Sequence, residues 1–318
     1  MKTRILIIGA NGQLGTVLTH SLQQKYGVKH VIASDIVRKK SFKGLFEIID
    51  ATNFNALQSI VFKNKITQIY HLAAILSAKG EQDPLQTWEL NMKTWLTVLE
   101  VARIHQIEKV FYPSSIAVFG ASAKKNNTPN NAFLDPSTAY GISKAAGEQW
   151  ANYYFTKYGL DVRSVRYPGI IGHQSLPGGG TTDYAISIFH KAVLKKPFIC
   201  YLEKNTKLPM MYIQDAIRAT IEIMEAPKDT IQERTSYNIA GISFSPLELY
   251  QQIIAVYPDF KTTYRPDFRQ QIADTWPCSL DDQAARNDWG WKPQYDIKKM
   301  TRLMIDRLEK KYRLKTNI

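Results

Sequence analysis

A tyrosine and a lysine four residues apart, preceded by two adjacent serines, are the side chains of this sequence best suited to move a proton. Tyr140 and Lys144 stand in Tyr-Gly-Ile-Ser-Lys, and Ser114 and Ser115 come before them. Positions i and i+4 share a face of a helix, so the phenol and the ammonium can point into one site. An isolated phenol, with a pKa of about 10, is a poor base near neutral pH, but a neighbouring cation favours the phenolate. The pattern predicts that Lys144 lowers the pKa of Tyr140, which acts as a base on a substrate oxygen held by Ser115.

This spacing also has a simpler interpretation. A tyrosine and a lysine on an amphipathic helix can be a core edge and a solvated charge, and so short a pattern recurs by chance. The catalytic interpretation therefore depends on what the rest of the chain supplies.

The N-terminus has the features of a dinucleotide site. The β-branched run Arg4–Ile8 predicts a buried strand, and Thr16–Gln24 predicts a helix. Between them, Gly9, Gly12 and Gly15 suit a tight turn, a close approach of the backbone to a pyrophosphate, and close packing of helix on strand. The helix N-terminus would offer N–H groups and a positive dipole end to the phosphates.

An acid follows at the distance that such a site requires. His30–Asp35 predicts a second strand, and Asp35 at its end is placed to bind a ribose 2′-hydroxyl and to repel a 2′-phosphate. This favours NAD over NADP, although Arg38, Lys39 and Lys40 could pair with a phosphate. In the alternative interpretation the glycines only mark turns and Asp35 is an ordinary loop acid, which leaves the strand, the spacing and the helix as coincidences.

Two further strand ends carry similar signals. Phe46–Asp50 ends in an acid that could accept a hydrogen bond from an adenine amino group, and Gln68–Ala74 ends in small residues that let the chain pass close to a cofactor. His71, a single histidine on an apolar strand, is expected to be a hydrogen-bonded core residue. We find no His/Cys/Asp/Glu cluster at metal-ligand spacing in the sequence, so we predict no metal site.

Length and composition indicate a globular protein. With 318 residues, 44% of them hydrophobic and 22% charged, the chain is long enough for a substantial core and unlike disordered or membrane proteins. No apolar run in the sequence is long enough to span a bilayer. The first strand begins at Arg4, which leaves no room for a signal peptide, and Cys200 and Cys278 make no disulfide framework. We therefore expect a cytoplasmic protein.

The formal charge of +13 is compatible with nucleic acid or acidic ligands as partners. Yet the basic residues are spread along the chain, and the basic cluster Arg307–Lys315 continues a helical pattern that starts at Ile297. A solvated helix face explains this cluster better than a binding tail. We expect neither a nucleic acid nor a membrane as a partner.

Strand-like and helix-like segments alternate through the first half of the chain, which predicts an α/β protein with a Rossmann-like, doubly wound parallel sheet. We assign residues 1–172 to this dinucleotide-binding domain and expect the chain to return to it around 212–240. Residues 173–211 and 241–318 are assigned to a smaller, mixed substrate lobe.

Individual elements can also be placed. Trp88–Ile104 predicts a long helix, and Lys109–Pro113 predicts the strand that delivers the serine pair. Ser245, Pro246 and Glu248 predict the start of a helix with an N-cap serine, a first-position proline and a capping box.

Taken together, these residues give the chain a resemblance to the extended short-chain dehydrogenase/reductases over nearly its full length. The resemblance is carried by Gly9, Gly12, Gly15, Asp35, Asp50, Leu72-Ala-Ala74, Asn91, Ser114-Ser115, Tyr140, Lys144 and Arg166-Tyr-Pro-Gly169. As a set these residues are specific for the family, but nucleotide-sugar epimerases and dehydratases share most of them. The resemblance also implies a homodimer formed through the helices around Trp88–Ile104 and Tyr140–Tyr158.

One segment narrows the resemblance. Ser175-Leu-Pro-Gly-Gly-Gly-Thr-Thr-Asp-Tyr-Ala185 looks like the substrate loop of the short-chain type of L-threonine 3-dehydrogenases, and Pro209–Tyr212 and Asp288–Trp291 resemble that group too. Its three glycines would expose backbone groups, and its two threonines would add hydroxyls suited to a small zwitterion. Alternatively, the glycines are a flexible connector before a helix at Asp183, with Thr182 as its cap.

The resemblance implies hydride transfer from C3 of L-threonine to NAD without a metal, giving 2-amino-3-oxobutyrate. Lys144 would also bind the nicotinamide ribose, and Asn91 would support Lys144 through water. The implied cofactor contacts are Gly9, Asn11, Gly12, Gln13, Leu14, Gly15, Asp35, Ile36, Asp50, Leu72, Ala73, Ala74, Tyr140, Lys144, Tyr167 and Ile170. The implied substrate contacts are Ser77, Ser115, Tyr140, Gly180, Thr181, Thr182 and Trp276.

Two other functions stay open. A nucleotide-sugar epimerase of the same family would keep NAD tightly bound and release no NADH. The predicted substrate loop Ser175–Ala185, however, offers nothing for a bulky nucleotide. A non-catalytic dinucleotide-sensing or RNA-associated protein would suit the charge but not the intact Ser/Tyr/Lys set. Dehydration is disfavoured, because a dehydratase usually has an acidic pair where this chain has Ile116 and Ala117.

Two positions depart from the pattern of the threonine enzymes. Serine stands at 115, where threonine is as frequent, and it keeps the hydroxyl that the chemistry needs. Gln214 stands where an acid commonly precedes Asp215, and because glutamine is a poor N-cap this puts the start of that helix in question.

Overall fold

A computed structural model describes residues 3–174 and 176–316 of the protein. The strands are β1 (Ile5–Ile8), β2 (Val31–Asp35), β3 (Leu45–Ile48), β4 (Gln68–His71), β5 (Lys109–Ser115), β6 (Val162–Tyr167), β7 (Gly169–Ile171), β8 (Phe198–Cys200), β9 (Leu208–Tyr212), β10 (Tyr237–Asn238), β11 (Ile242–Phe244) and β12 (Thr262–Tyr264). The α-helices are α1 (Gln13–Tyr26), α2 (Phe54–Lys63), α3 (Ser77–Gly80), α4 (Pro84–Ile104), α5 (Ala139–Tyr158), α6 (Tyr184–Val193), α7 (Ile213–Glu225), α8 (Pro246–Ile254), α9 (Phe268–Thr275), α10 (Gln283–Trp289) and α11 (Ile297–Thr316).

Seven strands form one parallel sheet in the order β10-β6-β5-β4-β1-β2-β3. β1 lies between β2 and β4, so Ile5 is opposite Val31 on one side and Gln68 on the other. All four residues of β1 are buried, because α1 and α7 cover one face of the sheet and α2, α4 and α5 cover the other. The strand order changes direction between β1 and β4, and α/β proteins bind ligands at such a point, beyond the carboxyl ends of the strands. The predicted Rossmann-like α/β fold is confirmed.

Two smaller sheets lie in the second half of the chain. One has the order β11-β9-β7, with β9 antiparallel to β11 and parallel to β7. The other pairs β12 with β8. The seventh strand of the large sheet, β10, also comes from the second half of the chain and pairs with β6 at the edge.

Local signals account for where several elements begin. The predicted helix at Trp88 begins earlier, at Pro84, because the Asp83 side chain caps it and proline suits the first helical position. The capping box at the start of α8 is confirmed: the Ser245 hydroxyl accepts from the amide of Glu248, and the Glu248 carboxylate accepts from the amide of Ser245.

Helix α7 begins at Ile213, so Gln214 lies inside its first turn rather than at its N-cap. Asp215 supplies the acid that favours a helix N-terminus. Its carboxylate also accepts from the amides of Gln294 and Tyr295 at 2.9 and 3.2 Å, which ties α7 to the C-terminal segment. The helix start therefore does not depend on Gln214.

Helix α11 confirms the helical pattern that begins at Ile297. Two of its basic residues form ion pairs along the helix, Lys310 with Asp306 and Arg313 with Glu309. The side chain of Lys315, the last residue of the predicted basic cluster, lies outside the described part of the protein. Across 3–174 and 176–316, no helix is both long and apolar enough to cross a membrane.

Candidate active site

Two acceptors hold the N-terminus of α5, the helix that carries Tyr140. The Thr138 hydroxyl accepts from the amide of Gly141 at 3.0 Å. The Glu81 carboxylate, from the segment after α3, accepts from the amide of Ala139 at 2.9 Å. These bonds satisfy N–H groups that a helix leaves without partners in its first turn. Tyr140 thus sits on a turn that is held from two sides.

Ser115, Tyr140 and Lys144 meet at the carboxyl end of β5, where all three line one cleft. The Ser115 hydroxyl is close enough to the Tyr140 phenol to lower its pKa. Lys144 Nζ lies 5.6 Å from the centroid of the Tyr140 ring and 4.6 Å from the centroid of the Tyr112 ring. The hydroxyl, the phenol and the cation that the sequence pointed to are therefore arranged around the same space.

The pKa of Tyr140 departs from the sequence-based expectation. Burial raises it to about 12, and the hydrogen bond from Ser115 opposes the rise. Burial also lowers the pKa of Lys144 to about 7, against the attraction of Glu148. In this state of the protein, burial outweighs the lowering of the Tyr140 pKa that we predicted from Lys144, because both groups share a buried site in which each charged form is penalised. Near neutral pH, Lys144 carries only part of its charge.

Asn91 lies behind this site on α4 and acts on the backbone. Its Oδ1 accepts from the amide of Ile75 at 2.8 Å, and its Nδ2 donates to Ile75 O at 3.2 Å and to Ser143 Oγ at 3.1 Å. The Ser143 hydroxyl donates in turn to Tyr140 O at 2.7 Å. Asn91 therefore links the chain after β4 to the first turn of α5, and its hydrogen bonds go to Ile75 and Ser143 rather than to Lys144.

The segment Gly9–Gly15, called the glycine segment below, fits a dinucleotide pyrophosphate. Gly9 has φ +85°, and a Cβ there would lie 2.7 Å from the amide nitrogen of Ala73. A Cβ on Gly15 would lie 2.2 Å from Gly9 O, so only glycine lets α1 pack this closely on the turn. Helix α1 begins at Gln13 without a side-chain cap, which leaves its first N–H groups free for an anion.

Asp35 stands at the end of β2 beside this turn. Its Oδ2 accepts from the amide of Asn11 at 2.9 Å, and its Oδ1 accepts from the amide of Ile36 at 2.8 Å. Lys39 Nζ donates to Asn11 O at 2.8 Å. The backbone thus orients both carboxylate oxygens of Asp35 at the place where the motif puts the adenosine ribose.

The remaining groups of the adenosine end are also engaged by the protein. Asp50 lies beyond the end of β3, and its Oδ1 accepts from the amide and the hydroxyl of Thr52, which lowers the pKa of Asp50. The Arg38 guanidinium lies 5.8 Å from the centroid of the Phe46 ring.

On the opposite side of the cleft, Ser77 and Thr181 form a buried hydroxyl pair. Their oxygens are 3.2 Å apart, and the amide of Thr181 is 3.4 Å from Ser77 Oγ. The contact joins α3 to the segment before α6. A second bond, from the amide of Lys79 to Gly179 O at 3.1 Å, joins the same two segments.

The glycines of this segment do not present free amides. The N–H groups of Gly178, Gly179 and Gly180 all donate to Asp183 Oδ2, at 2.8, 2.9 and 2.9 Å. Gly178 and Gly179 are exposed, but the Asp183 carboxylate takes up the N–H groups of all three glycines, so these donors are not available to a substrate. Asp183 is also the N-cap residue of α6, where the alternative interpretation had placed Thr182.

Thr182 and Trp276 complete this wall of the cleft. Thr182 packs against Gly169, where a Cβ would lie 2.7 Å from the Thr182 side chain. Trp276 is buried, and its indole Nε1 has no hydrogen-bond partner among the described residues. Lys125 Nζ donates to Trp276 O at 3.0 Å and fixes the backbone there. Ser175, the first residue of the predicted substrate loop, lies outside the described residues.

The cleft brings most of the predicted residues together. It is lined by Gly9, Gly12, Gln13, Leu14, Gly15, Leu72, Ala74, Leu76, Ser77, Pro113, Ser114, Ser115, Ile116, Tyr140, Lys144, Tyr167, Pro168, Gly169, Ile170, Gly180, Thr181, Thr182, Asp183 and Trp276. The predicted residues outside this lining are Asn11, Asp35, Ile36, Asp50, Ala73 and Asn91. Residues 3–174 and 176–316 contain no group of three or more His, Cys, Asp or Glu side chains arranged to hold a metal ion.

Sequence reasoning missed three residues of the site. Tyr112 lies under the Lys144 ammonium, and Glu148 lies one turn beyond Lys144. Asp183 accepts from the amides of Gly178–Gly180. A local signal existed for two of them. Glu148 continues the i, i+4 spacing that starts at Tyr140, and Asp183 follows the glycines at the distance of a local side-chain turn. The position of Tyr112 depends on how β5 packs against α5.

The expectation for His71 is confirmed. The side chain is buried on β4, stacks on Trp95 at 5.6 Å and lies 3.4 Å from the Thr94 hydroxyl. Burial, with a smaller effect of Lys144, lowers the pKa of His71 to about 3. A histidine in this position is neutral at physiological pH.

Comparison with protein-family models matches residues 5–240 to the family described as NAD dependent epimerase/dehydratase. An uncharacterised epimerase/dehydratase of Staphylococcus haemolyticus is 44% identical over 313 residues, which are 97% of this chain and 98% of that protein. Both comparisons cover the glycine segment, the Ser115–Tyr140–Lys144 site and the sheet that positions them.

Two solved structures are similar over the whole fold. A partial consensus L-threonine 3-dehydrogenase has 52% identity and a TM-score of 0.95, covering 96% of this chain and 99% of its own. The holo form of an L-threonine dehydrogenase from Cupriavidus necator has 51% identity and a TM-score of 0.94, with the same coverage.

Proposed function

Since the chain belongs to the NAD-dependent epimerase/dehydratase family, whose model matches most of its length, we propose that it is an NAD-dependent L-threonine 3-dehydrogenase. The reaction would oxidise C3 of L-threonine to give 2-amino-3-oxobutyrate and NADH. The observation that carries the proposal is the placement of Ser115, Tyr140 and the buried Lys144 around one cleft whose far wall is polar and small. The similarity of the whole chain to two threonine dehydrogenases supports the choice of substrate.

Ser115, Tyr140 and Lys144 have different roles in the transfer of one proton from the substrate. Ser115 hydrogen-bonds the 3-hydroxyl of the substrate, and Tyr140 takes its proton. Lys144 binds the ribose next to the nicotinamide, and its charge favours the phenolate of Tyr140. The cofactor, when bound, supplies the hydride acceptor. Asn91 keeps the first turn of α5 in place through Ser143.

The polar groups on the far wall suit the two charged groups of an amino acid. Ser77, Thr181 and Thr182 offer hydroxyls, and the Gly180 carbonyl, which accepts from the amide of Asp183, has a second lone pair. The Trp276 indole N–H is a buried donor that has no partner among the described residues. An indole N–H left unpaired in a buried position is costly, so a carboxylate placed against it would be favoured. We assign the carboxylate of the substrate to Trp276 and the threonine hydroxyls.

Asp35 supports NAD as the cofactor rather than NADP. Its carboxylate is held in place by the amides of Asn11 and Ile36, so it cannot turn away from a 2′-phosphate without losing both bonds. Lys39 and Arg38 are engaged with Asn11 O and with the Phe46 ring. Lys39 and Arg38 are therefore less available to a phosphate than the sequence suggested.

We further propose a cytoplasmic homodimer that binds no nucleic acid. Leu85 and Trp88 on α4 and Ile142, Trp150 and Tyr153 on α5 are exposed large hydrophobic residues on neighbouring helices. Exposed apolar side chains on two packed helices favour an interface, and a second copy would cover them symmetrically. Sedimentation of the purified protein tests the dimer, and a mass of one chain at micromolar concentration would overturn it.

The proposed reaction is tested by the initial rate of NADH appearance from NAD and L-threonine in the presence of a metal chelator. We expect a saturable rate that is absent with D-threonine and weak with NADP. NAD that stays bound through purification, together with interconversion of a nucleotide sugar, would make the protein an epimerase instead. No turnover with either substrate, together with a salt-dependent shift of RNA, would make it a binding protein.

A further inference from the structure

A buried carboxylate lies one helical turn beyond the proposed active-site lysine. Tyr140, Lys144 and Glu148 follow each other at four-residue spacing along one face of α5. Glu148 is 0% exposed. Its carboxylate accepts from the Ser114 hydroxyl at 2.5 Å and from Arg166 Nε and Nη2 at 2.9 and 2.8 Å. A fully buried carboxylate that accepts from three fixed donors cannot turn toward solvent, so the position of its negative charge is fixed.

We propose that Glu148 is a positioning residue that keeps the Lys144 side chain in its charged form during turnover. The inference rests on the proposed function, because it assigns Glu148 a role only if Lys144 must act as an ammonium. It concerns no contact between Glu148 and substrate or cofactor.

Among the described residues, Glu148 is the acid at helical spacing from Lys144 whose charge acts on the ammonium. On α5 the neighbours at helical spacing are Tyr140 and Glu148, and from β5 the Tyr112 ring faces the ammonium. His71 on β4 and Arg166 on β6 are the other titratable or charged groups nearby. Burial keeps His71 neutral, since it lowers the pKa to about 3, and it keeps Tyr112 protonated by raising its pKa.

The Arg166 cation pairs with Glu148 and weakens the effect of the carboxylate on Lys144 without removing it. Arg166 binds Glu148 through Nε and Nη2, and its Nη1 donates to Asn130 O at 2.6 Å and to Asn238 Oδ1 at 3.2 Å. Its guanidinium also lies 5.2 Å from the centroid of the Phe119 ring. Arg166 thus holds the Glu148 carboxylate in place through two hydrogen bonds. Glu148 is the group whose charge raises the pKa of Lys144 against the effect of burial.

The experiment compares kcat/KM for L-threonine of the Glu148→Gln variant with that of the wild type between pH 6 and pH 9. Loss of a neighbouring acid shifts a buried pKa by about one unit, which is about tenfold in the charged fraction of Lys144. With a wild-type pKa of about 7 for Lys144, we expect the ratio of variant to wild type to be about one half at pH 6 and to fall to about one tenth by pH 9. At pH 6 most wild-type molecules and about half of the variant molecules carry a charged Lys144, whereas at pH 9 the charged fraction is small in both proteins and about tenfold smaller in the variant.

The matched control is Asp161→Asn. Asp161 is also buried and paired with arginine, to Arg163 at 2.8 Å and to Arg234 at 2.9 Å, but it lies at the opposite end of the sheet from the cleft. This variant carries the cost of a broken buried ion pair without a change of charge near Lys144. Its activity ratio is expected to be independent of pH.

A second variant guards against a Glu148→Gln protein that does not fold. In Glu148→Gln with Arg166→Gln, no buried charge is left unpaired, and such neutral replacements of ion pairs are commonly tolerated. The same fall in ratio with pH is expected, with smaller amplitude because the Arg166 cation is gone. Ratios that stay flat from pH 6 to pH 9 in the folded variants would overturn the inference. A wild type without threonine-dependent NADH formation would overturn the proposed function instead.

Discussion

The ammonium group of Lys144 lies 4.6 Å from the centroid of the Tyr112 ring, nearer than the 5.6 Å that separates it from the centroid of the Tyr140 ring. Tyr112 stacks in turn on Trp95, with ring centroids 4.3 Å apart. Its hydroxyl reaches so close to α5 that a Cβ on Gly147 would lie 2.1 Å from it. The face of an aromatic ring attracts a cation, and more strongly where water is excluded.

We therefore expect Tyr112→Leu to lower kcat about tenfold, because a desolvated cation–π contact is worth about 1–2 kcal/mol. Tyr112→Phe keeps the ring and loses only the bond of 3.4 Å to Ser143 O, so it should retain nearly full kcat. Steady-state kinetics of the two variants checks this. Equal activity of both would show that the ring face contributes nothing to Lys144.

Tyr140→Phe should reduce turnover of L-threonine by about 10²–10⁴-fold, the usual contribution of a general base. NAD binding should change little, because the glycine segment and Asp35 are untouched by the substitution. Fluorescence titration with NAD and the initial rate of NADH formation measure the two properties separately. Weak cofactor binding with normal turnover is the result that this assignment does not allow.

Lys144→Met should stabilise the protein near neutral pH although it removes activity. Burial lowers the pKa of Lys144 from 10.5 to about 7, so the unfolded chain binds more protons than the folded one between these values. The charged lysine therefore destabilises the fold fully below about pH 7, and the penalty disappears as the pH rises to 10.5. The Tm advantage of Lys144→Met over the wild type should be larger at pH 7 than at pH 9.5. An advantage that grows with pH would contradict the direction of this shift.

Asp35→Ser should relax the preference for NAD. The substitution removes the carboxylate that repels a 2′-phosphate and frees the amides of Asn11 and Ile36 to donate to it. We expect KM for NAD to rise and kcat/KM for NADP to increase by about tenfold or more, since one close like charge is worth more than about 1.4 kcal/mol. Kinetics with both cofactors checks the change, and Asp50→Ser serves as a control at a neighbouring strand end.

Asp183→Ala should raise KM for L-threonine by about ten- to hundredfold. The variant loses the oxygen that accepts from the amides of Gly178, Gly179 and Gly180, and bonds to a charged acceptor contribute about 1.5–3 kcal/mol. Asp183→Asn keeps one acceptor oxygen without the charge and should fall between the two. Substrate saturation curves measure the effect. Unchanged KM in both variants would mean that Gly178–Gly180 keep their conformation without the Asp183 carboxylate.

The parts of the site that could be predicted from sequence are those made by residues close together in the chain. The glycine segment with Asp35 and the Tyr140–Lys144 spacing follow from one strand, one turn and one helix, and such patterns carry their geometry with them. The fold class followed from the alternation of strands and helices.

What could not be predicted depends on burial and on contacts between distant segments. The pKa of Tyr140 rises because β5, α5 and the second half of the chain exclude water around it, which no local pattern reveals. The Glu148–Arg166 pair forms only when α5 and β6 lie side by side, and Arg166 also donates to Asn238 Oδ1 on β10. The use of the glycine amides by Asp183 was missed because these backbone groups were expected to face a substrate rather than a side chain of the same segment.

The late position of β10 also affects how the protein is made. When residues up to β7 have been synthesised, β6 is still an open edge, because its partner Tyr237–Asn238 comes about 70 residues later. At about 5–20 residues per second, this edge waits roughly 4–14 s on the ribosome. An unpaired edge strand is a template for association with other chains. We expect newborn chains to be most prone to aggregation in this interval, and the Arg166 network to be among the last parts of the core to close.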